Sequence, residues 1–168
     1  LAFVGNKVSS SDIYLYDINN RTLKNLTNDI YSDSEPTWSA DGSKIAYVSS
    51  RVKKDDSLIR ENKSLTDIAS FQTDIYSIDI SNNSLNRITY SDANENYPLW
   101  ANTDNILFYT SDENGISNLF RHNMNNGSIE SLTNLLTGLF QISLSTDDEV
   151  MVFAGYSDNG WDIFRLSN

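Results

Sequence analysis

Apolar residues in this chain arrive in short, nearly unbroken bursts: Ile45-Ala46-Tyr47-Val48, Ile106-Leu107-Phe108-Tyr109 and Val150-Met151-Val152-Phe153. Runs of this length without polar alternation predict strands covered on both faces. The first burst belongs to a larger unit. Residues 35–49, EPTWSADGSKIAYVS, predict a hairpin in which an extended segment anchored by Trp38 meets a two-residue turn at Asp41-Gly42 and returns through Ile45 to Val48. Residues 97–109 and 141–154 follow the same plan, with Trp100 and Leu144 in the place of Trp38.

A second pattern recurs between the hairpins. Asp12-Ile13-Tyr14, Asp74-Ile75-Tyr76, Asn118-Leu119-Phe120 and Asp162-Ile163-Phe164 are spaced by 62, 44 and 44 residues. The first three lead into Asn-rich turns (Asn19-Asn20, Asn82-Asn83, Asn126-Gly127) and close on Leu26-Thr27, Ile88-Thr89 and Leu132-Thr133. A period in the low forties with four strands per unit predicts propeller blades. The expected fold is all-β, a β-propeller fragment of four-stranded antiparallel blades with fourteen strands, about three and a half blades. With strands lettered A to D from the hairpin, residues 1–31 read B-C-D, 32–91 and 92–135 are full blades, and 136–168 read A-B-C. Leu1 to Val4 matches Ile45 to Val48, so the chain is expected to begin inside a strand and to be completed by the remaining part of the same propeller or by another chain.

The longer second unit predicts an insertion at residues 51–73, between strands B and C. It carries Arg51, Lys53, Lys54, Arg60 and Lys63, five of the twelve Lys and Arg, and a helical turn is expected near Leu65 to Phe71. Two readings are open: a contact arm for a protein partner, or a solvated excursion. Strand parity places the B-to-C and D-to-A connections on one face of the blades, so the insertion should share that face with the acidic segments before Pro36 and Pro98.

Composition narrows the function. A net charge of −11 argues against a general nucleic-acid surface. No apolar run approaches a membrane span, so no direct membrane insertion is expected, and the absence of Cys removes disulfides and thiolate chemistry. His122, the one histidine, falls at a strand position, and no G-x-S-x-G elbow accompanies it. No catalytic residue and no resident cofactor are therefore expected. Asp33, Glu35, Asp92 and Glu95 cluster ahead of the innermost strands, where hard oxygen ligands could hold Ca²⁺; the competing reading is ordinary turn chemistry. Trp38 and Trp100 are expected to be buried between blades, with Asp41 and Gly42 as structural turn residues.

The combination of D-I-Y, a turn, L-T and P-x-W-S-x-D-G, clearest from Asp12 to Ser49, resembles the repeat of TolB-like propellers, and the resemblance runs over essentially the whole chain. It weakens in the last unit, where Leu144 replaces Trp and Asp147-Asp148 replaces Asp-Gly. It implies a non-catalytic scaffold that binds proteins in the bacterial envelope, periplasmic or at the cell surface. Related propellers are also attached to peptidases and other hydrolases, so the alternative is a propeller that gates or positions substrate for a hydrolase domain outside these residues.

Overall fold

The computed structural model describes residues 1–51 and 72–167. Among them are fourteen strands and no helix. Four antiparallel sheets follow one another along the chain. The first holds β1 (Ala2–Asn6), β2 (Ser11–Asp17) and β3 (Thr22–Asn25). The second holds β4 (Asp33–Trp38), β5 (Lys44–Ser49), β6 (Asp74–Asp79) and β7 (Leu85–Arg87); the third, β8 (Glu95–Trp100), β9 (Ile106–Ser111), β10 (Asn118–Asn123) and β11 (Ser128–Ser131). The fourth holds β12 (Leu139–Leu144), β13 (Val150–Ser157) and β14 (Gly160–Ser167). In each sheet the strands lie side by side in chain order and antiparallel, as a propeller blade requires.

The recurring D-I-Y and L-T motifs have a common physical cause. As the outermost strand leaves the sheet, Leu26, Ile88 and Leu132 still donate their N–H to the carbonyls of Ile13, Ile75 and Leu119, each at 2.8 Å. One residue later the ladder ends. The hydroxyls of Thr27, Thr89 and Thr133 then accept the N–H groups of the same three residues, at 3.1, 2.8 and 2.9 Å. A buried donor that would otherwise be orphaned is satisfied by a side chain one step past the strand.

The core lies between sheets. Ile45 and Tyr47 of β5 pack with Tyr76, Ile78 and Ile13 toward the first sheet. Ala46 and Ile75, of opposite parity, pack with Trp100, Leu107, Tyr109 and Phe120 of the third. Leu119, Leu139, Met151 and Phe153 join the third sheet to the fourth. Alternate residues of one strand thus serve two different junctions, which is why the bursts are continuously apolar.

Two expectations are corrected. Trp100 is buried at 5% exposure, but Trp38 is 37% exposed. Trp100 packs with Ala46 and Ile75 of the preceding sheet and faces the Ser39–Lys44 turn across a groove, whereas the three-stranded first sheet has no such turn to face Trp38. The Asp41-Gly42 turn is also longer than two residues. Ser39 N donates to Lys44 O at 2.9 Å and Gly42 N to Ser39 O at 2.9 Å, so residues 40–43 form the loop and Gly42 closes it at φ 70°. The Asp41 carboxylate accepts the Ser43 N–H at 3.0 Å and the Ser39 hydroxyl at 2.7 Å, bonds that the wider loop permits and that hold its pKa down at about 2.

Each A-type strand also carries a bulge at the same register. Glu35, Tyr97 and Gln141 there adopt φ of 54, 52 and 54°, unusual for residues other than glycine.

Replacing Thr89 by Val keeps the shape of the side chain but strands the Ile75 N–H. The expected loss is about 1–3 kcal/mol in chemical denaturation. An unchanged midpoint would show that the hydroxyl is not the partner this N–H depends on.

Candidate functional site

The B-to-C and D-to-A connections do meet on one face of the sheets. Ser50 N donates to Ser32 O at 3.0 Å, Asp112 N to Asn94 O at 3.3 Å and Glu95 N to Thr73 O at 2.9 Å. This face holds the acidic residues named from the sequence, but they do not converge on one point.

Asp33 belongs to a buried cluster at the first junction. Carboxylate oxygens of Asp12, Asp29 and Asp33 all lie within 4.8 Å of one another. Hard oxygen donors so placed suit Ca²⁺ in kind, yet two side-chain cations already serve them. Lys7 Nζ sits 2.6 Å from Asp12 Oδ2, and the Arg51 guanidinium grips Asp33 through Nη1 at 2.6 Å and Nη2 at 3.2 Å while also pairing with Asp29. Burial opposes ionisation of Asp12, but Lys7 and Asn25 outweigh it and hold its pKa below the usual carboxylate range. The donor set fits a salt-bridge network better than an ion site.

Arg51, expected among the partner-binding cations, is therefore an internal residue. It is 8% exposed, and its guanidinium lies 5.7, 5.6 and 5.5 Å from the ring centres of Tyr31, Tyr47 and Tyr76. A planar cation between aromatic rings and two carboxylates exchanges water for ring faces and charge-assisted bonds. Lys53, Lys54, Arg60, Lys63 and the segment from Leu65 to Phe71 lie outside the described residues.

The other three acidic candidates separate. Glu35 Oε2 accepts the Tyr97 N–H at 2.6 Å, a link between neighbouring A-type strands, and burial raises its pKa. Asp92 is exposed. Glu95 is 1% exposed, bonded to the Ser91 hydroxyl and, at 3.4 Å, to that of Ser111, and burial pushes its pKa up to about 7. Its neighbour Asp74 is held by Arg87 at 2.7 and 2.8 Å. At the third junction the position of Asp33 and Glu95 is Leu139, fully buried. His122 is a buried strand residue, with burial lowering its pKa.

Sequence reasoning missed Lys7, Asp12 and Asp29 as members of the buried cluster. Asp12 was visible only as the first letter of D-I-Y; the signal available was its recurrence as Asp74 and Asn118, always at the same distance along the chain ahead of Thr27, Thr89 and Thr133.

No known sequence family and no curated protein matches the chain. Solved structures do. A TolB described as putative from Agrobacterium tumefaciens superposes over 99% of this chain with a TM-score of 0.78 at 19% identity. TolB from Acinetobacter baumannii does so over 99% with a TM-score of 0.74, also at 19% identity. The chain has a TolB-like β-propeller fold. It spans 56% of the first of those structures and 37% of the second. The TolB-like fold also recurs inside an enzyme: a puromycin hydrolase matches 94% of this chain with a TM-score of 0.66 at 9% identity, and the chain spans 23% of it.

Two measurements check this site. Replacing Arg51 by Met leaves Asp33 buried without its cation and should cost about 3–5 kcal/mol; a loss under 1 kcal/mol would mean that the pair behaves as a surface bridge. For Glu95, the unfolded chain releases its proton near the ordinary 4.5 and the fold near 7, so stability present below the lower value is lost as pH rises through the upper. Replacing Glu95 by Gln should accordingly raise the thermal midpoint over the parent at about pH 8 more than at about pH 5. A pH-independent difference would contradict the assignment.

Proposed function

We propose that this chain is part of a non-catalytic, protein-binding scaffold propeller of the bacterial envelope, periplasmic or at the cell surface, that engages a protein through the face bearing the B-to-C and D-to-A connections. The observation that carries this reading is the arrangement around Arg51. The residue at which the 51–73 insertion leaves the sheet is locked between Asp29 and Asp33, so the cationic segment that follows has a rigid root. Lys53, Lys54, Arg60 and Lys63 then form the contact arm, and the acidic residues beside it give a secondary ionic surface that includes the exposed Asp92. The TolB-like fold supports this reading and the envelope location.

The remaining part of the same propeller belongs to the proposal. Phe3 on the first sheet and Trp161 and Ile163 on the last are exposed, at 37, 63 and 82%. Ile163 occupies the repeat position that is fully buried at Ile75 and Leu119. Further blades would cover both faces.

A second reading, a propeller appended to a hydrolase domain, is favoured by the match to puromycin hydrolase. Deleting residues 53–70 from the full-length protein distinguishes the two. Loss of cross-linked protein partners in cells with an unchanged thermal transition is expected. Capture that survives the deletion but disappears on substituting Asn19, Asn82 or Asn126 would place the partner on the opposite face. A hydrolase activity altered by the deletion would favour the second reading.

A further inference from the structure

Two residues of the last blade, Leu144 and Asp148, border one cavity. Leu144 stands where the other A-type strands have Trp38 and Trp100, and Asp148 stands where the first hairpin has Gly42. Between the third and fourth sheets, Ile106, Phe108, Leu132, Leu144, Met151 and Leu166 line a pocket of about 240 Å³. At the preceding junction the corresponding groove, about 360 Å³, is lined by residues of the two turns, and Trp100 is its one core side chain. There the indole closes off the core. At the last junction Leu144 is too short to do so, and core side chains line the opening.

Asp148 keeps the mouth in place. Despite φ of 61°, its carboxylate accepts the Asn102 N–H at 2.9 Å, the Thr103 N–H at 2.9 Å and the Thr103 hydroxyl at 2.6 Å, fastening the turn of the fourth sheet to that of the third. The lining comes from both sheets, from β9, β10 and β11 of the third and β12, β13 and β14 of the fourth, together with the turns that follow β8 and β12. The rim is acidic. Arg121 is engaged by Glu130 at 3.3 Å, and among the described residues no cation pairs with Asp104 or Glu149.

We propose that this pocket binds one aromatic side chain, an indole by preference, presented by a basic peptide segment of a partner protein. The volume lies below the ~300–1,000 Å³ of pockets for drug-sized ligands and suits a single large side chain. The repeat itself places an indole at this register in the two preceding A-type strands. Aromatic anchors in preformed pockets, flanked by complementary charge, are the usual centres of binding energy. This site is on the side of the A-to-B and C-to-D turns, opposite the face on which Arg51 leaves β5, and it does not rest on the proposed contact arm.

The test uses the full-length protein with methyl-¹³C methionine and a capped Lys-Trp-Lys peptide as probe. Met151 lines the pocket and Met124 does not, so Met124 is an internal control. The Met151 methyl should shift with Lys-Trp-Lys and not with Lys-Ala-Lys, while Met124 stays put. Leu144→Trp should weaken binding at least about tenfold by filling the pocket. The surface pair Asp104→Asn and Glu149→Gln should weaken it severalfold and reduce its salt dependence, whether or not the Trp variant folds. An unresponsive Met151, as would follow if another segment of the same protein already fills the cavity, overturns the proposal. So does affinity unaffected by these substitutions.

Discussion

Every blade here depends on neighbours, because a sheet of four short strands cannot bury either of its faces alone. Ile13, Ile75 and Leu119 are each 0% exposed at one repeat position, and Ile163, at the same position in the last sheet, is 82% exposed. The chemistry is identical; only the neighbour differs. Burying such a side chain contributes about 1.5–3 kcal/mol, and each strand contributes to two junctions at once. Stability in this architecture is therefore shared between adjacent sheets, and the local polar devices, the threonine hydroxyls above all, serve to end each sheet without leaving a buried donor unpaired.

The three junctions solve the same steric problem with different electrostatics. At one position the first has Asp33 paired with Arg51, the second has Glu95 with hydroxyl partners and, among the described residues, no cation, and the third has Leu139. Burying a charged pair contributes little net stability over an apolar contact. Arg51 is thus better understood as fixing where the chain leaves the sheet than as adding to the core. If the segment that follows is the contact arm proposed above, it gains from such a fixed root because less ordering is left to binding. The apolar third junction, in turn, is where Leu144 stands in place of Trp and core side chains line the pocket without stranding a charge.

Strand number, order and the blade repeat were legible in the sequence because they depend on local patterns: apolar bursts, turn residues and a fixed spacing between Asp12, Asp74, Asn118 and Asp162. The burial of Trp100 was legible for the same reason. The exposure of Trp38 was not, since it depends on what lies across the junction and the repeat specifies only the strand. Arg51 was misjudged because composition assigns a cation in a charged segment to the surface, while the carboxylates that draw it inward, Asp29 and Asp33, are 22 and 18 residues away in sequence. The length of the Asp41 loop escaped because the dipeptide Asp-Gly suits both short and longer turns, and the choice was made by the flanking Ser39 and Ser43.

On the proposed reading, the open faces of the first and last sheets are junctions between blades. These 168 residues contain no Cys; single thiols can be introduced here in the full-length protein, with any Cys outside them replaced by Ser, and their labelling rates compared. A thiol at Ile163 should be protected from a maleimide like one at the buried Leu119, and both should react far more slowly than one at the exposed Val8. Labelling of the Ile163→Cys protein as fast as Val8→Cys would show that no blade covers this face and would contradict the account.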